Sequence, residues 1–468
     1  MSQNKTTTLE TEKAATEPVS FPPGLHNTFL FSGFNALSYP LVLSSPMVLY
    51  AKTLGASATI LGIIVGMMPL LVIFQIPAAN YIPRVGFKRF VYAGWGTRVL
   101  FIFAMALVPL TGGFLNAQSR LALMLVLLFC FNLSRGISSS AWLPWITMLI
   151  PPPLRGKYLT RDAGVQNSAC FLTLVIAAGC LAGDTRPWQF ALLFVFSAVA
   201  GSISLTFLKR IPDAEMPEET RRGGTSVPYK GTKVPWLEMI NYAPFKKLLV
   251  SLVGWSVAYG GMTAFTVAFL RSAAGLSEGR ILLVTSTAYL GGLSSLWFLG
   301  PRLDRLGSKP VLTFSFSTCI VVMAGWIALS GDLVHVRLSI VVALQFAIGL
   351  LAALVQMSNT RLAMAIIPEM GRNHFFAIYS VMGNVTLGLA PIGWGLVIDA
   401  IGARSGIWLG LSWNRFSIFF AGAAVACTIT LGLTRRLHEP EAASMDVLLR
   451  EILIESPQRF LVRFWPRG

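Results

Sequence analysis

The chain is 468 residues long, 54% hydrophobic and only 12% charged, with a formal net charge of +17. Soluble proteins carry roughly 25% charged residues, so the deficit excludes an ordinary soluble domain and points to a membrane protein built of many spans. The basic excess is dispersed along the chain rather than gathered in one patch, which argues against a nucleic-acid partner.

Residues 1–24 are polar and rich in Thr and Glu, with no basic stretch followed by an apolar core. They read as a disordered cytoplasmic tail rather than a signal peptide. A helix needs about 20 apolar residues to cross a bilayer, and twelve segments qualify. The expected spans are 26–50, 57–81, 88–110, 119–149, 160–183 and 187–208, then 244–271, 278–300, 309–330, 335–366, 374–400 and 411–434. The hydrophilic stretch 209–243 divides them, giving one six-helix unit over 25–208, a cytoplasmic linker, and a second unit over 244–434. Internal prolines such as Pro40, Pro69, Pro144 and Pro391 do not argue against spans, because membrane helices tolerate them. Residues 435–468 form a tail in which Met445, Leu448, Leu449 and Ile452 recur at helical spacing, followed by Arg459, Arg463 and Arg467. Such a segment reads either as lying on the inner membrane surface or as a loose tail touching the bundle.

With both termini and the linker on one side, that side holds most of the 37 Lys and Arg. Basic residues mark cytoplasmic loops, so both termini are expected in the cytoplasm and the protein in a plasma (inner) membrane. The five cysteines all fall within spans and form no metal-type pair, so they read as small packing residues. The sequence offers no carboxylate pair, metal cluster or nucleophile–base constellation. Neither an enzyme, a cofactor nor a metal is expected.

One loop pattern occurs twice, at matching places in the two halves. The first copy runs Ala79-Asn80-Tyr81-Ile82-Pro83-Arg84-Val85-Gly86-Phe87-Lys88-Arg89, the second Gly300-Pro301-Arg302-Leu303-Asp304-Arg305-Leu306-Gly307-Ser308-Lys309. Two further alignments support a duplication. Lys52-Thr53-Leu54-Gly55-Ala56-Ser57 matches Ser272-Ala273-Ala274-Gly275-Leu276-Ser277, and Pro151-Pro152-Pro153-Leu154-Arg155 matches Pro368-Glu369-Met370-Gly371-Arg372. Internal repeats are how many transporters are made.

The pattern resembles the major facilitator superfamily, whose loop between the second and third helices reads roughly Gly-x-x-x-Asp-Arg-x-Gly-Arg-Lys. The second copy matches at Gly300, Asp304, Arg305, Gly307 and Lys309; the first matches at Arg84, Gly86 and Lys88 but has Pro83 in place of the Asp. The Pro-x-x-x-Arg elements ending at Arg155 and Arg372 are similar too. The resemblance covers roughly residues 25–434 and implies an all-α polytopic membrane protein of twelve transmembrane helices in two pseudo-symmetric six-helix bundles. It implies that these loops gate the cytoplasmic side, with Asp304 facing the start of the eleventh helix. Asp304→Asn is then expected to impair transport, while Pro83 tolerates change.

The resemblance also implies that helices 1, 4, 7 and 10 line a central cavity. Each carries a polar or aromatic stripe at helical spacing: Asn35 and Tyr39; Asn132, Arg135, Ser139 and Trp142; Trp255, Tyr259, Thr263 and Thr266; Gln345, Gly349, Gln356 and Asn359. Helix–helix hydrogen bonding is the competing role for each such residue. Arg135 is placed deep in its span, where a charge is costly and marks function. Every Asp and Glu falls in a tail, a loop or at a span end, so Arg135 has no evident acidic partner. A substrate carboxylate, phosphate or sulfate is one source of a counter-charge; backbone carbonyls and water are the other. Arg98 reads as structural, or as reaching toward the cytoplasm. No His or carboxylate titrates at mid-depth, which favours facilitated diffusion or exchange over proton symport, with Asp162 beside Arg161 as the remaining coupling candidate. The fifth span lacks the Gly-Pro motif typical of drug/proton antiporters of the superfamily.

The expected protein is a monomeric carrier in the bilayer, moving a small polar organic solute by alternating access, an organic anion ahead of a sugar. Trp142 and Trp255 keep the sugar open. The rivals are a sensor or assembly factor that kept the carrier fold, and a lipid translocator, which would need an apolar lateral opening.

Overall fold

The computed structural model describes residues 21–151, 154–213, 236–298, 307–367 and 372–436. The first span is α1 (His26–Leu43) followed by α2 (Ser45–Thr53); the second is α3 (Ala58–Leu71), a 3-10 turn and α4 (Gln75–Ala79), with a single-turn α5 (Ile82–Val85) after it. Then come α6 (Phe87–Leu107), α7 (Ala117–Ser139) with α8 (Trp142–Leu149), α9 (Arg155–Cys180) and α10 (Pro187–Arg210). The second half begins with α11 (Trp236–Asn241) and α12 (Ala243–Tyr259) with α13 (Met262–Ser272). It continues with α14 (Glu278–Phe298), α15 (Ser308–Ser330), α16 (Leu338–Ile366), α17 (Arg372–Ile401) and α18 (Arg415–Arg435).

Among the described residues, 10 segments are long and apolar enough to cross a membrane. The pair α1–α2 and helix α14 fill the first and eighth places beside them. In the first bundle α1 packs on α9 and α10, and α6 packs on α7 and α10; in the second α18 packs on α12 and α15, and α16 packs on α14 and α15. The bundles meet along two seams, α3 against α17 and α9 against α14. We call the side where α1 and α12 begin the near face, and the opposite side the far face.

The duplication is written in the backbone. Gly86 and Gly307 are the N-caps of α6 and α15, with φ 90°, ψ 148° and φ 83°, ψ 164°. Only glycine enters that region cheaply. Gly55 and Gly275, the glycines of the second alignment, also have positive φ. Lys88 of the first loop donates to the Ile211 carbonyl at 2.8 Å, tying the loop to the end of α10. Arg155 donates to the carbonyls of Thr147 and Ile150, closing the end of α8. Gly300, Asp304 and Arg305, the side chain of Arg372 and most of both tails and the linker lie outside the described residues.

The last span starts later than the sequence suggests. Residues 406–413 form a two-stranded hairpin, β1 (Gly406–Trp408) and β2 (Leu411–Trp413), on the far face. Leu409 and Gly410 both have positive φ, the geometry of a two-residue hairpin turn. Asn414 then caps α18, its Oδ1 accepting from Phe416 N at 2.9 Å and Ser417 N at 3.1 Å.

Candidate functional site

The bundles are sealed at the far face and part toward the near face. Along the α3–α17 seam, glycines let the backbones touch. A Cβ on Gly62 would lie 2.2 Å from the Pro391 carbonyl oxygen, and one on Gly66 2.3 Å from that of Gly388. Small residues allow this close approach between membrane helices. At the far end Asp399 of α17 receives Ala58 N on Oδ1 at 2.9 Å and both Thr59 N (2.8 Å) and Thr59 Oγ1 (2.7 Å) on Oδ2, so it caps α3 of the other bundle. The α9–α14 seam closes likewise. Thr185 donates to Glu278 Oε2 at 3.0 Å, and Arg271 pairs with Glu278 Oε1 at 2.6 Å.

Nearer the near face the same helices diverge. A cavity of about 600 Å³ opens between α9, α14 and α16, lined by Tyr39, Asp162, Gln166, Tyr289, Gln356 and Arg361 among others. A crevice of about 270 Å³ with mostly apolar walls lies between α3–α4 and α17, bordered by Val72, Ile76, Val381 and Val385. At mid-depth a smaller pocket of about 210 Å³ sits where the first and seventh spans break. The first span breaks at Ser44, whose φ and ψ are extended, four residues after Pro40. The seventh breaks at Gly260–Gly261, where Gly261 is left-handed. Interrupted spans at corresponding places of two repeats mark binding sites in carriers.

Comparison with known proteins bears on the family and the fold. The family model described as Major Facilitator Superfamily matches residues 27–340. The chain belongs to the major facilitator superfamily. A search of proteins of curated function finds no match in sequence. Among solved structures, the chain is similar in fold to the nucleoside transporter NupG at 11% identity and a TM-score of 0.67, covering 89% of this chain and 100% of that one. It is similar to the inward-open xylose transporter XylE from E. coli at 13% identity and a TM-score of 0.65, covering 90% and 98%. It is also similar to a POT family transporter in complex with a thioalcohol-conjugated peptide, at 13% identity and a TM-score of 0.65, covering 89% and 97%. At such identities the likeness concerns the fold alone.

Within this superfamily member the four stripes divide. Tyr39 and Gln356 line the large cavity, and Tyr259, Thr263, Thr266 and Gln345 line the mid-depth pocket. Trp255 is buried behind Tyr259, stacked on it with ring centroids 5.0 Å apart. Asn35 is taken by Arg98, whose guanidinium donates to Asn35 Oδ1 at 3.3 Å. Asn132 donates to its own helix at Leu128 O, and Ser139 to Gly136 O. Trp142 packs at tilted and edge-on angles among Phe31, Trp95 and Trp145 near the near face. Asn359 is buried, with Oδ1 unpartnered among the described residues.

Arg98 does not reach toward either surface. It is 4% exposed and lies 4.7 Å from the Trp95 ring and 5.1 Å from the Phe131 ring. Two aromatic rings therefore lie within cation–π reach of the guanidinium, the usual refuge of a buried cation that lacks a carboxylate. Arg135 is half-buried on α7, and no hydrogen bond or ion pair holds it among the described residues. The next residue, Gly136, presses α7 onto α3 where α3 ends, since a Cβ there would lie 2.2 Å from Leu71 O. Asp162 lines the large cavity with Oδ2 accepting from Gln166 Nε2 at 2.7 Å.

The sequence reading missed Ser44, Ser45, Asn167, Thr285 and Tyr289, which supply much of the polar wall. They sit at the break of the first span and on the fifth and eighth helices, outside the faces searched. A signal existed: Thr285, Tyr289 and Gly292 recur at four- and three-residue spacing on α14.

Proposed function

We propose that this chain is a secondary carrier of an inner membrane that moves a small organic anion by alternating access, with the near face in the cytoplasm. The observation that carries the substrate class is Arg135. At about 1.5 Å per residue it stands about 27 Å of helix from Ala117 and about 21 Å from Leu149, so it lies deep in its span. A guanidinium there is costly without a partner, and no carboxylate meets it among the described residues. A cargo anion would supply the charge.

Alternating access is supported by where the polar contacts fall. The far face is held by side chains that bridge the bundles, while the opposite ends of the same seams are parted by cavities. Basic loops at the near face support its assignment to the cytoplasm. Among the described residues no carboxylate lies at mid-depth of a span, which favours diffusion down a gradient or exchange over proton symport.

The test is uptake of a panel of labelled organic anions into proteoliposomes. A hydrogen bond to a charged group contributes about 1.5–3 kcal/mol, so Arg135→Gln should lower uptake of the transported anion about tenfold to a hundredfold. Uptake at the wild-type rate would refute the anion assignment. A purified chain that moves no solute but holds one protein partner would refute the carrier reading in favour of a sensor. The apolar crevice between α3–α4 and α17 favours a second reading, lipid translocation; transfer of fluorescent phospholipid between leaflets, blocked by filling the crevice with Ser380→Trp, would support it.

A further inference from the structure

The mid-depth pocket has a chemistry that Arg135 does not explain. Among the described residues not one charged side chain borders it, yet hydroxyl and amide groups crowd its wall, among them Tyr259, Thr266, Thr285, Tyr289 and Gln345. Three of the polar atoms around it, Ser45 Oγ, Thr266 Oγ1 and Gln345 Oε1, are buried without a hydrogen-bond partner among the described residues. Gln345 is 8% exposed and Thr266 1%, so water on the protein surface does not serve them. Buried polar groups are ordinarily paired, and three orphans around one hollow point to something that fills it. The volume of about 210 Å³ would hold roughly seven waters at about 30 Å³ each, or one sugar-sized ring. The Trp255–Tyr259 stack gives one wall a flat, rigid aromatic edge.

The pocket is not isolated. Asn167 and Tyr289 line both it and the large cavity, which Tyr39 also lines. Tyr39 belongs to the first span, so the two hollows together run from the break of the seventh span into the first bundle. A single ligand can therefore extend from the neutral pocket between the bundles into the large cavity on the first bundle's side.

We propose that this pocket is a subsite for a hydroxyl-bearing neutral moiety, so that the cargo is a hydroxylated organic anion of the uronate, aldonate or sugar-phosphate class. The proposal rests on the anion reading of Arg135 for the charge and on the pocket alone for the hydroxyls. It also unites the two substrate classes that the sequence left as rivals. Each ligand hydroxyl both donates and accepts, which suits a wall of mixed Thr, Tyr and Gln groups. A simple aliphatic acid would leave the three orphaned atoms unpaired and be rejected for that reason.

The experiment measures affinity by calorimetry on the purified full chain in nanodiscs. The probes are glucuronate, gluconate and glucose 6-phosphate as hydroxylated anions, hexanoate and hexyl phosphate as bare anions, and glucose. At least one hydroxylated anion should bind about tenfold or more tighter than the bare anion with the same charged group. Thr266→Val, which is isosteric, and Gln345→Met should each lower that ratio about fivefold. Arg135→Gln should weaken every anion. Equal binding of hydroxylated and bare anions, or a ratio that both pocket variants leave intact, overturns the subsite while the anion reading stands. Glucose binding as tightly as glucuronate, unaffected by Arg135→Gln, overturns the anion reading while the pocket stands. If no hydroxylated anion binds, the proposal is wrong. Should Gln345→Met fail to fold, Thr266→Val decides alone.

Discussion

Removing the Asp399 carboxylate should open the far face. Asp399 accepts three hydrogen bonds from the first residues of α3, two of them from backbone N–H groups that a helix start otherwise leaves without partners. It is a bond between bundles, so it is made in this closed state and lost when the far face opens. Hydrogen bonds to a charged group contribute about 1.5–3 kcal/mol when buried, and an anion at a helix N-terminus adds about 0.3–1 kcal/mol. Asp399 is exposed, so water competes for all three and the net effect falls to about 1–2 kcal/mol. That shifts the equilibrium between closed and open far face roughly five- to thirtyfold toward open. The assay places a reporter thiol in the mid-depth pocket, Thr263→Cys, and adds an impermeant maleimide to intact cells. The protein without the reporter corrects for the five native cysteines. Asp399→Ala should raise the labelling rate by that factor, and Thr59→Val, which removes one of the three donors, should raise it less and not add to it. A rate within about twofold of wild type in Asp399→Ala would refute the view that this carboxylate holds the face shut.

Three further outcomes follow from the packing. Gly62→Ala places a Cβ 2.2 Å from a backbone oxygen that cannot give way, so it should increase the same labelling even with Asp399 intact. Gly86→Ala and Gly307→Ala should each cost about 1–3 kcal/mol through backbone strain, read as lowered melting temperatures; nothing lies within 4 Å of a Cβ at Gly86, so no clash contributes there. Arg98→Met replaces a buried cation that lacks a carboxylate by an apolar chain of similar length, removing a desolvation cost of several kcal/mol against the loss of one hydrogen bond to Asn35 and two ring contacts. Its melting temperature should hold or rise while uptake persists, and a loss of uptake equal to that of Arg135→Gln would show that both arginines serve the anion.

The helices were legible because the bilayer imposes one rule on every span: a run of apolar residues long enough to cross it. The duplication was legible for a related reason. Gly86 and Gly307 must both adopt positive φ at the start of a helix, and no other residue does so cheaply, so the glycines persist in both copies. The hairpin at 406–413 was not legible, since Ile407, Trp408, Leu409 and Trp413 look like the start of a span. Its turn is decided by two left-handed residues that hydropathy does not register. The site was half legible. Periodicity showed which residues share a face of a helix, but not which neighbour claims them. Asn35 faces inward as its spacing suggests and is spent on Arg98; Trp142 is absorbed by an aromatic cluster with Trp95 and Trp145. Asn167 and Tyr289 entered the site because the fifth and eighth helices form a seam between bundles, a tertiary fact that no single-helix pattern contains.

That seam geometry links the pocket to the closure of the far face. Gly260 and Gly261, at the break of the seventh span, lie against Ala390 and Pro391 of α17, and Trp394 of α17 donates to the Val257 carbonyl at 2.9 Å. The opposite side of Pro391 presents its carbonyl to Gly62 of α3. One short piece of α17 is thus packed at once on the hinge that forms the pocket wall and on the other bundle. Tyr259 and Met262 flank that hinge and line the pocket, and Ser44 brings the break of the first span to the same hollow. A ligand seated there touches both broken spans. Because close-packed contacts of this kind switch between discrete arrangements rather than deform gradually, a cargo that orders the two breaks must also change how Pro391 meets Gly62. Cargo binding and far-face closure are then expected to be coupled through α17. Gly260→Ala, whose Cβ would lie 2.7 Å from that of Ala390, should weaken the dependence of Thr263→Cys labelling on added cargo, and unchanged protection by cargo in that variant would break the link.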